Sequence, residues 1–312
     1  MFGTRRRRHL TQGAALVVVT SAVVAGCATA APAAPGGPGS GKVEVVAAEN
    51  FWGSIAAQLG GERVSVTSII RNPDADPHNY EPTPADARAV ASARYVVVNG
   101  VGYDPWAAKL VAADPVSSRT VLTVGDLVGV PPGGNPHRWY SPDDVHRVAE
   151  RITADYKKID PADAAYFDQR KQAFETRALA RYNQLISQIR TRYAGTPIGA
   201  SESIVTPLAD DLGLRLLTPE SFLDAISEGT DPTTADKSTV DEQIKSQQIK
   251  VYLYNSQNAT PDVAAQVTAA KAAGIPTATV TETLVPATAT FQDWQSAQLQ
   301  GIAQALARAT GH

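Results

Sequence analysis

From Ala162 to Ala194 the chain runs for more than 30 residues without a glycine or a proline. Apolar residues at Phe167, Phe174, Ala178, Tyr182, Leu185, Ile189 and Tyr193 recur in steps of three, four and seven, which places them on one helical stripe. A helix of that length is a rod of about 45 Å. It is long for a globular helix, and it divides the chain. On its N-terminal side, short β-branched runs at 43–48, 64–70, 94–100 and 120–124 read as strands. Helical stretches follow at 51–59, 84–93, 105–113 and 141–156, the last opened by Ser141-Pro142-Asp143. On its C-terminal side, strands are expected at 196–201, 214–217, 250–255 and 276–280. Helices are expected up to Leu212 and over 234–246, 261–273 and 290–308. Strands alternating with helices predict βαβ units and parallel sheets. The expected fold class is α/β: two similar parallel-sheet lobes, 42–156 and 195–312, joined by one long rigid helix within 157–194.

The first 41 residues belong to neither lobe. Arg5 to Arg8 precede an apolar run from Ala14 to Ala25, the pattern of a secretory signal. That run is too short for a comfortable membrane span, which needs about 20 apolar residues. It ends in Val24-Ala25-Gly26-Cys27, which resembles a lipobox. The reading is a lipoprotein signal peptide over 1–26, with Cys27 as the lipidated first mature residue. The Ala/Pro/Gly/Ser stretch that follows, within 27–41, is a flexible tether.

Processing changes the charge. Removing four of the 28 basic residues and none of the 31 acidic ones turns a formal −3 into −7. An acidic exported chain gives no reason to expect nucleic-acid binding. One cysteine leaves no disulfide framework and no cysteine-based zinc finger. There is no G-x-x-x-x-G-K-[ST] phosphate loop and no G-x-S-x-G elbow.

Of five histidines, His9 lies in the signal, His312 ends the chain, and His146 sits in a helical stretch as an ordinary surface histidine. His78 and His137 differ. Each lies in a loop between a strand and the next helix, where open α/β sheets bind ligands. Each also follows a proline that holds the backbone extended, in Asp76-Pro77-His78-Asn79-Tyr80-Glu81-Pro82 and Asn135-Pro136-His137-Arg138-Trp139-Tyr140-Ser141-Pro142. Two histidines in matched settings point to metal ligation more strongly than either alone.

These two segments resemble the histidine motifs of the periplasmic or lipoprotein metal-binding proteins of zinc and manganese ABC importers. The stretch Val98-Asn99-Gly100-Val101-Gly102-Tyr103-Asp104-Pro105-Trp106 is similar to that family's segment between the histidines, and the resemblance runs over 43–308. It implies a metal site in the cleft between the lobes, completed by two ligands from the second lobe. Glu202, after the strand at 196–201, and Glu282, after the strand at 276–280, stand where the family carries them. Asp210, Asp211 and Glu220 are weaker competitors.

The implied site, His78, His137, Glu202 and Glu282, combines two imidazoles and two carboxylates, which suits a borderline divalent cation. The chain has no histidine-rich loop between the first two ligands and no histidine at the third. Both features lean slightly toward Mn²⁺ over Zn²⁺, although Zn²⁺ binds such sets more tightly in vitro. The function implied is metal capture at the extracytoplasmic face of the cell membrane. The protein would be a lipid-anchored monomer delivering its ion to an ABC permease with a cytoplasmic ATPase, without catalysis. The alternative is a secreted metal-dependent hydrolase using the same side chains, which would need an open coordination position and a general base.

Overall fold

The computed structural model describes residues 41–311 except Asp74 and Ala259. The expected signal peptide at 1–26, the expected lipidation site Cys27 and nearly all of the expected tether lie outside the described residues. Among the described residues no helix is long and apolar enough to cross a membrane.

Two four-stranded sheets organise the chain. The first contains β1 (Val43–Glu49), β2 (Val64–Ile70), β3 (Tyr95–Val98) and β4 (Thr120–Thr123), all parallel in the order β2-β1-β3-β4. The second contains β5 (Pro197–Ala200), β6 (Arg215–Leu216), β7 (Val251–Asn255) and β8 (Thr277–Val280), parallel in the equivalent order β6-β5-β7-β8.

The apolar runs are continuous because both faces of each sheet are covered. Successive side chains point to opposite faces. Val45, Ala47, Tyr95 and Val97 therefore enter one core, while Val46, Ala48, Val96 and Val98 enter another. In the second sheet Ile198, Ala200, Val251, Leu253 and Val280 join the same inner core, and Tyr252 packs outward with Phe222 and Ile244. The inner faces of the two sheets thus share one hydrophobic core.

The first lobe carries α1 (Asn50–Gly60), α2 (Pro84–Ser92), α3 (Pro105–Ala113), α4 (Val124–Val128) and α5 (Pro142–Ile159). The connecting rod then runs as α6 (Ala164–Ala173), a π turn at Phe174–Ala178 and α7 (Ala180–Tyr193). The second lobe adds α8 (Thr206–Leu212), α9 (Glu220–Ser227), α10 (Thr234–Lys245), α11 (Pro261–Ala272) and α12 (Phe291–Thr310).

The rod departs from the single regular helix expected. Phe174 and Leu179 are both buried, and in an α-helix a spacing of five would turn the second about 140° away from the first. The π turn, with the Leu179 N–H donating to the Phe174 carbonyl at 2.9 Å, keeps both on the inner side. The buried stripe then continues through Leu179 instead of the half-buried Ala178.

The lobes also meet through polar pairs. The Gln58 and Gln292 amides donate to each other at 3.0 and 2.8 Å, and the Leu284 N–H donates to Asn50 Oδ1 at 3.3 Å. Loops at the carboxyl ends of the strands face each other across this contact, and they carry the candidate ligands.

Candidate metal centre

The His78 loop leaves β2 and is pinned locally. Asp76 accepts from the His78 N–H at 2.9 Å and from Asn79 Nδ2 at 2.8 Å. Trp106, on α3, donates its indole N–H to the Pro77 carbonyl at 3.1 Å. A capping box between Thr83 and Asp86 then starts α2, with Tyr80 donating to the same Asp86 carboxylate at 3.0 Å. The half-buried His78 is left with a buried Nε2 that has no hydrogen-bond partner.

His137 is buried and more tightly specified. Asn135 Nδ2 donates to the Ser203 carbonyl at 2.7 Å, which fixes the amide so that Oδ1 faces His137. That oxygen accepts the His137 N–H at 2.9 Å and lies 2.9 Å from Nδ1. Nδ1 must therefore carry the proton, and Nε2 keeps a lone pair that nothing in the protein uses. Burial, followed by the neighbouring His78 and Arg138 charges, pushes the imidazole down to about 3, so it is neutral at neutral pH.

Glu202 follows β5 and is fully buried. Its Oε2 accepts from Asn258 Nδ2 at 3.2 Å and, at the limit of reach, from Ser227 Oγ at 3.5 Å, while Oε1 has no partner. Burial first, then the Glu282 charge, pushes its carboxyl up to about 8. Glu282 follows β8, its backbone N–H donating to Gln257 Oε1 at 2.7 Å. Its Oε1 accepts from Asn255 Nδ2 at 3.1 Å and its Oε2 from the Tyr103 hydroxyl at 2.7 Å. Burial again raises this carboxyl, and the nearby His78 lowers it.

Tyr103 joins the two pairs. Its ring meets His78 edge-on at 4.9 Å and His137 at 5.9 Å, and its hydroxyl reaches across to Glu282. Trp139 backs the group, stacked on Phe51 at 4.0 Å, and Tyr140 donates to the Thr281 carbonyl at 2.9 Å.

His78 and His137 line a cavity of about 540 Å³, and His78 and Glu282 line an adjoining one of about 160 Å³. Asp126, Glu220, Asp224 and Glu228 line the larger one, with no lysine or arginine. Among the described residues, no three His, Cys, Asp or Glu side chains stand ready to hold an ion as placed. The two pairs face each other but must draw in to enclose one. Of the weaker competitors, Asp210 is exposed on α8, and the Asp211 carbonyl is held by Arg190 at 2.7 Å. Glu220 is at the cavity wall. His146 lies half-buried on α5.

Sequence reasoning did not find Tyr103, Asn135, Asn255, Asn258 or Ser227. Asn135 had the clearest signal, two residues before His137 and able to reach back to its ring. Ser227 had none, because α9 itself was not expected.

A manganese-binding lipoprotein, MntA, of Halalkalibacterium halodurans is 30% identical over 164 residues, covering 51% of this chain and 53% of the relative. The iron-binding protein YfeA of Yersinia pestis is 29% identical over 185 residues, covering 56% and 58%. The chain therefore spans about half the length of the curated relatives it matches. In fold it resembles the Mn-bound periplasmic metal-binding protein of Candidatus Liberibacter asiaticus, with a TM-score of 0.71 at 19% identity over 84% of this chain and 98% of that one. A crystal structure of ZnuA superposes with a TM-score of 0.68 at 22% identity, over 86% and 99%. The profile described as Zinc-uptake complex component A periplasmic matches residues 45–305, and across that span, which holds all four candidate ligands and both sheets but for the first two residues of β1, the chain belongs to this ZnuA family.

Proposed function

We propose that the protein is an extracytoplasmic solute-binding lipoprotein that captures one divalent transition-metal ion and delivers it to an ABC importer, without catalysing a reaction. The ligands in this reading are His78, His137, Glu202 and Glu282. The observation that carries it is a set of buried polar atoms without hydrogen-bond partners: His78 Nε2, His137 Nε2 and Glu202 Oε1. Buried polar atoms without partners are costly. A cation between the lobes would satisfy all three, and two carboxylates would neutralise its charge.

Glu282 would exchange its Tyr103 and Asn255 hydrogen bonds in part for the ion. Mn²⁺ is favoured slightly as the cargo, because two carboxylates supply hard oxygen donors, whereas Zn²⁺ would bind more tightly in a competition. Cys27 would anchor the chain to the membrane and 27–41 would tether the lobes, with 42–156 and 195–312 as the binding units and 157–194 as their link. The partner would be a permease with a cytoplasmic ATPase, met by a monomer. The family relationship favours this reading over a hydrolase.

Elemental analysis of protein purified without added metal, followed by competition of Mn²⁺ against Zn²⁺, tests it. One ion per chain is expected. Binding of neither ion at micromolar concentrations would overturn the reading, and metal-dependent hydrolysis would favour the alternative.

A further inference from the structure

Glu49 ends β1 and is fully buried, yet neither of its carboxyl oxygens has a hydrogen-bond donor. It faces a second acid, the buried Asp104. Asp104 is well supplied: Oδ2 accepts the Asn99 N–H and Oδ1 the Gly100 N–H, both at 2.7 Å. Two carboxylates cannot sit together without donors in a dry interior. Asp104, fed by two amides, is the ionised partner, and Glu49, fed by none, is the one left to hold a proton.

The turn that Asp104 closes needs this support. Gly100, Val101 and Gly102 all have left-handed backbones, at φ of 76°, 55° and 78°. For the β-branched Val101 that conformation is strained and persists only where its surroundings enforce it. The same turn delivers Tyr103 to the cleft. Asn99 extends the support to the other histidine loop. Its Oδ1 accepts from the Trp52 indole at 3.0 Å, and its Nδ2 donates to the Pro136 carbonyl, next to His137, at 2.9 Å.

We propose that Glu49 is a positioning residue: its carboxyl keeps a proton at neutral pH, donates it to Asp104, and thereby fixes the 99–104 turn and, through Asn99, the Pro136–His137 segment. The titratable groups facing Glu49 are Asp104 and Tyr103, and burial is the main force holding its proton. The functional half of the proposal rests on the metal-capture reading, whereas the proton itself does not.

Full-length Glu49→Gln and Glu49→Leu, compared with wild type, separate the possibilities. The glutamine amide can donate to Asp104 as the acid would, and leucine cannot. Mn²⁺ affinity at pH 7 is expected within twofold of wild type for Glu49→Gln and at least tenfold weaker for Glu49→Leu. A group whose folded pKa is raised loses stability as pH climbs toward that value. The melting temperature of metal-free Glu49→Gln should therefore gain on wild type steadily from pH 5 to pH 8. A constant gap would overturn the proton assignment, even if Glu49→Leu does not fold. Wild-type affinity in Glu49→Leu, or equal loss in both variants, would overturn the positioning role. A wild-type chain that binds no divalent ion would sink the capture reading and the positioning role with it, while the melts would still decide the proton.

Discussion

Asn135 uses both ends of its amide: the nitrogen anchors to the second lobe at Ser203, and the oxygen dictates which nitrogen of His137 faces the cleft. Partners of this kind typically govern metal affinity by 10- to 100-fold. Asn135→Ala is expected to weaken metal binding about tenfold with the fold intact, measured by competition against a chelator. Unchanged affinity would mean that the ring is set by something else. The buried imidazole also ties stability to acid. Its folded pKa lies below its unfolded value, so its contribution is present above the ordinary histidine range and is lost as pH falls toward about 3. Metal-free protein should lose up to about 1.4 kcal/mol per pH unit through this group as pH drops from 6 to 4. Thermal melts of His137→Gln should show a shallower acid limb than wild type, and parallel limbs would contradict the assignment. The two histidines were legible because each lies in a loop between prolines just before a helix, although only His78 follows its strand directly: the short helix α4 stands between β4 and the His137 loop. Tyr103 was not, because an aromatic beside an apolar strand reads as core until its hydroxyl is seen to reach Glu282.

Among the elements, α2 starts at Pro84, where the sequence places a helix, and the structure adds the cap. Thr83 and Asp86 cap each other, directly after the loop that carries His78. Thr83→Ala is expected to cost about 1 kcal/mol of stability in chemical denaturation. The short helix α9 is a different case. Proline and glycine flank its eight residues, so its periodicity is too brief to stand out, and yet it lends Ser227 to Glu202. Glu220, Asp224 and Glu228 recur every four residues and all line the larger cavity, whose wall has no lysine or arginine among the described residues. Like charges at that spacing cost a helix a few tenths of a kcal/mol per pair. Their field should draw a cation toward the histidines. The triple variant Glu220→Gln, Asp224→Asn, Glu228→Gln is expected to slow metal association several-fold at low ionic strength, with the difference shrinking at high salt. Stopped-flow rates that match wild type in both conditions would remove α9 from the route of capture. The rod illustrates the limit of periodicity: its existence follows from the absence of glycine and proline, but one extra residue at the π turn shifts the buried stripe from Ala178 to Leu179.

At the scale of the molecule, two sheets of the same strand order present their carboxyl ends to each other over a shared core. That architecture was readable from alternating strands and helices. The pairing of particular lobe-to-lobe contacts, such as Gln58 with Gln292, was not, because polar side chains carry no periodic signal. Two histidines come from one lobe and two glutamates from the other, so an ion held between them, as proposed, would bind only the folded protein. Mass action then predicts about 2.7 kcal/mol of added stability at a metal concentration 100 times the dissociation constant. Whether His78, His137, Glu202 and Glu282 hold one ion together is decided by chelator-competition titration of metal-free wild type beside His78→Ala and Glu202→Ala. A single Mn²⁺ or Zn²⁺ ion per wild-type chain is expected, with at least tenfold weaker binding in each variant. Wild-type affinity in both variants would show that these side chains do not hold the ion.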